Sequence, residues 1–95
     1  MALFLITYEL NKLETDYPKL LDYLNSIGAH RVLYSDWLVR LNTTQDALYS
    51  DVLKRIDGND GLLVCVVESV MGNANLHYPL SKFGVPIPKT ESSCL

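Results

Sequence analysis

The stretch Leu3-Phe4-Leu5-Ile6-Thr7-Tyr8-Glu9-Leu10 decides how the rest of this chain is read. It begins as an unbroken apolar run, ends in Thr, Tyr and a carboxylate, and contains neither Gly nor Pro. Such a run favours a strand, and apolarity on both faces places that strand inside a sheet. Whatever stands at its carboxyl end is then held rigidly at the rim. Here that residue is Glu9.

Working outward, residues 11–15 form a polar connection. Asp16 stands before Tyr17-Pro18 as an acidic cap with Pro in the first helical turn. Tyr17, Leu20, Leu21, Leu24 and Ile27 recur at spacings of three and four and predict a helix with one apolar face, stopped by Gly28. Residues 29–34 and 37–41 read as two strands joined at Ser35-Asp36, a hairpin whose turn lacks the Asn-Gly pair that would define its register. Thr43 with Asp46 resembles a capping box for a second helix carrying Leu48, Val52 and Ile56, widened by Tyr49 and Leu53. Lys54 and Arg55 fall in its last turn, where cations suit the helix dipole. A run of turn residues, 57–61, precedes another apolar strand at 62–67, closed by Glu68-Ser69.

Strand, helix, strand, strand, helix, strand makes two split βαβ units. The predicted fold is therefore α+β, a ferredoxin-like βαββαβ sandwich over residues 1–69 with the first strand central, beside the third and fourth. Residues 70–95 carry Gly72, Pro79, Gly84, Pro86 and Pro88 and no sustained period, yet Leu76, Tyr78, Leu80, Phe83, Val85 and Ile87 need a surface. They predict an extended C-terminal arm, packed on the domain or across a partner subunit, with residues 90–95 frayed.

Ninety-five residues suit one domain with a thin core that dimerisation would help. The 48 % hydrophobic and 20 % charged content is that of a globular protein. A net charge of −3 and a pI near 5.1 argue against a broad basic surface for nucleic acid, though not against a local patch. Cys65 sits in an apolar run and Cys94 next to the end of the sequence, so neither a disulfide framework nor a prenylation box is expected. The opening residues lack a basic leader and nothing approaches a membrane span, which predicts a cytoplasmic protein with no membrane partner.

For chemistry, Glu9 is the residue to weigh. A strand-end carboxylate can ligate a hard divalent cation such as Mg²⁺ or Mn²⁺, but one acid is too few. A second would come from Asp36, Asp60, Glu68 or a symmetry-related Glu9. The plainer reading is a solvated acid, or one that accepts from a neighbouring backbone N–H. His30 and His77 have no partner at zinc-ligand spacing, and His30 suits the last carbonyls of the first helix. No Gly-x-Ser-x-Gly turn, phosphate loop or complete calcium loop is present. Lys12, Arg31 and Arg40 suit a modest strip for phosphate contacts, or ordinary solvated charge. Tyr34 and Trp37 flank the turn, where they suit base stacking or, as the commoner use, core or dimer packing.

These phrases carry a family resemblance over residues 2–69. Leu5-Ile6-Thr7-Tyr8-Glu9-Leu10-Asn11-Lys12, Asp16-Tyr17-Pro18, Ser35-Asp36-Trp37-Leu38-Val39 and Asn59-Asp60-Gly61-Leu62-Leu63-Val64 resemble the CRISPR-associated protein 2 superfamily. They are closest to its small SinR-like relatives outside CRISPR loci, and more distantly to the virulence-associated protein D toxins. The resemblance implies a homodimer with the first-strand acids of two subunits facing each other. It also implies a C-terminal extension pairing with the partner's sheet. In some members an Asp at that position binds a divalent metal and supports endonuclease action on RNA or DNA. In CRISPR adaptation the protein bridges integrase subunits and DNA, and the acid is dispensable. This chain departs at the critical place, with Glu9 where Asp is usual. The expectations are a metal-dependent endonuclease or nucleic-acid-binding homodimer, with Glu9 as catalytic and metal residue and Lys12, Arg31 and Arg40 on nucleic acid. The alternative is a non-catalytic protein-interaction or regulatory module.

Overall fold

The computed structural model describes residues 1–84. Strand β1 (Ala2–Glu9) leads into helix α1 (Pro18–Ser26), then β2 (His30–Leu33), β3 (Asp36–Leu41), α2 (Gln45–Leu53) and β4 (Gly61–Val67). The sheet order is β2-β3-β1-β4, with every neighbouring pair antiparallel. This is an α+β chain with a four-stranded antiparallel sheet and two helices, an arrangement compatible with a ferredoxin-like sandwich. The two-faced apolarity of β1 has its physical reason here. The strand is flanked on both sides and covered on both faces.

Register divides the sheet's side chains. Phe4 lies opposite Val39 and Val66, and Ile6 opposite Trp37 and Val64, so these residues share one face. That face packs against Leu20 and Leu24 of α1 and Leu48 and Val52 of α2 in the main core. The other face carries Leu3 and Leu38, which pack with Val32, Leu80 and Phe83. Residues 70–84 thus return across part of the helix-free face, ending in a 3-10 turn at Leu80–Phe83 and a left-handed Gly84. The His77 amide donates to the Val32 carbonyl at 2.9 Å on the outer side of β2. Residues 85–95, including Cys94 and the end of the predicted arm, lie outside the described residues.

Several local expectations shift by a residue or two, each for a stated reason. Asp16 does not cap α1: it closes a 3-10 turn at Glu14–Asp16, and Tyr17 is the N-cap, with no side-chain cap bond. Gly28 does stop the helix, at φ 78°, a conformation costly for any residue with a Cβ. At α2 the cap is Thr44 rather than Thr43, its hydroxyl accepting from the Ala47 amide at 3.1 Å. The helix ends at Leu53, so Lys54 is its C-cap and Arg55 lies beyond. The hairpin turns at Tyr34-Ser35, and its register is broken between Arg31 and Leu33. Val32 is buried and Tyr34 77 % exposed, although alternate positions of a regular strand would share a face. Finally, His30 stacks on Tyr78, with ring centroids 4.0 Å apart, and leaves the α1 carbonyls alone.

Candidate functional site

Glu9 ends β1 with its side chain exposed, in register with Gly61 of β4. By alternation it shares the helix-free face with Thr7, whose partners are Asp36 and Leu63. Of the acids considered as a second ligand, Asp36 is the one on this face near Glu9. Glu68 follows Val67, which pairs with Leu3, so it stands at the far end of the sheet. Asp60 precedes Gly61, but its carboxylate accepts from Asn11, Asp57 and Tyr17. Among the described residues no group of three or more His, Cys, Asp or Glu side chains is placed to hold a metal ion. Among the described residues of one subunit, Glu9 alone does not make a cation site.

The opposite side of the same strand end is far more organised. Tyr8 points into the helical face, where its hydroxyl receives the Trp37 Nε1 proton at 2.9 Å and donates to Glu14 Oε2 at 2.5 Å. Arg31 closes the set with a two-pronged ion pair to Glu14, at 2.7 and 3.1 Å, its guanidinium 4.6 Å from the Trp37 ring centre. It also donates to the Tyr34 carbonyl at the turn. Burial, with the bond to Glu14, pushes the Tyr8 phenol up to about 12. Burial also pushes on Glu14, but the bonds from Arg31 and Tyr8 outweigh it and hold its carboxyl below the usual range. Each polar group answers another. Glu14 is the member sequence reasoning missed: it sits in a polar connection, and its partners come from β1 and β2.

A second lock ties the β1–α1 connection to the α2–β4 loop. The Asn11 amide and side chain both donate to Asp60 Oδ1 at 2.9 Å, and the Asp57 amide donates to its other oxygen at 2.8 Å. Tyr17 shares its hydroxyl proton between Asp57 and Asp60, at 3.3 and 3.1 Å. Partial desolvation raises Asp60, but the backbone N–H bonds from Asn11 and Asp57 and the Tyr17 bond bring it below its ordinary value. Desolvation and the Asp60 bond push Tyr17 up to about 12.

The three cations expected to form a phosphate strip are placed apart. Lys12 pairs with Asp57 at 3.2 Å, both exposed, beside the second lock. Arg31 lies in register with Trp37 on the helical side, bound to Glu14. Arg40 lies in register with Leu3 on the helix-free side, its Nε donating to the Phe83 carbonyl at 2.5 Å. Of the two aromatics at the turn, Trp37 is buried in the core and Tyr34 is exposed.

The free margin of the sheet is the other notable surface. Among the described residues β4 pairs only with β1, and it reads Gly-Leu-Leu-Val-Cys-Val-Val without a charge. Leu63 is 57 % and Val66 51 % exposed, one on each face of the strand. Cys65 is a free thiol, half-buried. No helix among the described residues is long and apolar enough to cross a membrane. No protein-family model matches this chain, and no solved structure matches it.

Proposed function

We propose that this protein is a small homodimeric interaction module of the CRISPR-associated protein 2 type, joined through the margins of its β4 strands. The carrying observation is the uncharged, seven-residue β4 at the edge of the sheet, with Leu63 and Val66 exposed. Soluble proteins guard such edges with charge, Pro, bulges or a cover, because bare N–H and C=O groups pair with any strand offered. A second copy is the partner always present, and antiparallel pairing of two uncharged strands incurs no like-charge penalty. The free Cys65 thiol suits the reducing cytoplasm. Light scattering at micromolar concentration should give the mass of a dimer, and Leu63→Lys with Val66→Lys should give a monomer. A wild-type monomer, or a dimer unmoved by both lysines, sinks the proposal.

A second reading, a metal-dependent endonuclease, is favoured by one observation: Glu9 is exposed on the helix-free face opposite Gly61, which has no side chain to shield it. It needs a different dimer. Joined at β4, two β1 strands lie three strand spacings apart, about 14 Å, with their Glu9 ends pointing to opposite ends. A shared cation requires the helix-free faces to meet instead. Paired Glu9 carboxylates would then hold Mg²⁺ or Mn²⁺, which as a Lewis acid would polarise a phosphodiester of RNA or DNA. Cleavage that needs either metal and vanishes in Glu9→Gln would establish this reading. Cleavage indifferent to that change would come from a contaminant.

A further inference from the structure

Eight of the 95 residues are Lys or Arg. Arg31 and Arg40 are engaged within the fold, by Glu14 and by the Phe83 carbonyl. Three others, Lys19, Lys54 and Arg55, line one open groove of about 520 Å³ between α1 and the end of α2, with Asp22, Tyr23 and Ser26. That concentration is notable in a chain of net charge −3.

Arg55 is arranged for use. Its guanidinium lies 4.0 Å from the centre of the Tyr23 ring and donates one bond, to the Asp51 carbonyl. Its remaining N–H groups have no protein acceptor among the described residues. Stacking on an aromatic face fixes the plane of the fork, so little freedom is lost when an oxyanion arrives. Lys19 has no ion-pair or hydrogen-bond partner among the described residues. Lys54 reaches Asp51 at 3.6 Å, with its side chain 71 % exposed, a contact that holds it loosely. Asp22 and Asp51 oppose an anion, as do the last carbonyls of α2, yet three cations against two carboxylates leave the groove net positive.

We propose that the groove between α1 and α2 binds a phosphate group, with the Arg55 fork as the principal contact and Lys19 and Lys54 as flanking charges. A planar guanidinium matches two phosphate oxygens at once, which a lone ammonium cannot do. This site lies on the helical layer, away from the β4 margin, so it stands independently of how two copies join.

The test is a nuclear magnetic resonance titration of the full chain with pyrophosphate at low ionic strength. Amide shifts should concentrate on residues 19–26 and 51–56 and shrink as salt rises. Arg55→Gln should weaken binding about tenfold or more, and Arg55→Lys should recover only part of it. Arg55 lies half-buried beside the open groove, outside the core, so a dispersed spectrum will show that each variant folds. Pyrophosphate that leaves these amides unmoved, or moves them equally in Arg55→Gln, overturns the proposal. A single-stranded RNA oligonucleotide then identifies the source. If it displaces pyrophosphate, the natural phosphate belongs to a nucleic-acid backbone. If pyrophosphate binds and the RNA does not compete, it belongs to a small phosphorylated compound.

Discussion

Trp37 Nε1 donates to the Tyr8 hydroxyl at 2.9 Å, joining the core of β3 to that of β1 through a single oxygen. The same oxygen serves Glu14, so Tyr8 is the hinge of a four-residue polar set inside an otherwise apolar layer. Tyr8→Phe keeps the ring and removes only that oxygen. It leaves a buried indole N–H without a partner, a loss of roughly 1–3 kcal/mol. Urea unfolding followed by Trp fluorescence should show the shift, and an unchanged midpoint would mean water replaces the hydroxyl at no cost.

Stability should fall at both ends of the pH scale. Glu14 is depressed in the folded state, so its contribution is full above the unfolded value near 4.3 and fades as pH drops through the folded one. Tyr8 and Tyr17 are raised to about 12, so theirs is full below about 10 and is lost as pH climbs through the folded value. Glu14→Gln should flatten the acid limb. Replacing both tyrosines by Phe should flatten the alkaline one. Denaturation midpoints across the pH range separate the two, and limbs that stay equally steep in these variants would refute the assignment.

Thr44, not Thr43, satisfies the first turn of α2. Thr44→Ala should therefore cost about 0.5–2 kcal/mol and Thr43→Ala almost nothing. Thermal unfolding of the two single variants decides it, and equal losses would move the cap.

Phe83 is buried with Leu80 against Leu3, Val32 and Leu38, and its carbonyl accepts from Arg40. Phe83→Ala should cost roughly 3–5 kcal/mol, the range for a buried aromatic. Hydrogen exchange adds a sharper readout, because the His77 amide bonded to Val32 belongs to the same return. That amide should lose protection before the β1–β3 ladder does. Protection unchanged at His77 would mean residues 70–84 are held by something other than Phe83.

Much of the fold was legible because apolar period and turn chemistry agreed. Leu20, Leu24, Leu48 and Val52 fall on the faces their spacing assigns, and the seven apolar or small residues of β4 need no partner to be recognised. Details that depend on contacts between distant segments were not legible. Nothing near Glu14 announces that Arg31, 17 residues on, will clasp it. The break between Arg31 and Leu33 follows from pairing with β3 rather than from local preference. Asp60 looked like a spare acid because Asn11, 49 residues earlier, is its principal donor. Lys12, Arg31 and Arg40 looked like one strip because sequence records spacing but not which side of a sheet each residue occupies.

The bond from His77 to Val32 has a further consequence for assembly. If two copies join at β4 as proposed, the bond from His77 leaves β2 one free backbone acceptor fewer for a third molecule to pair with. The chain's own return thereby guards part of one outer strand against strand addition, while β4 keeps its backbone groups on offer.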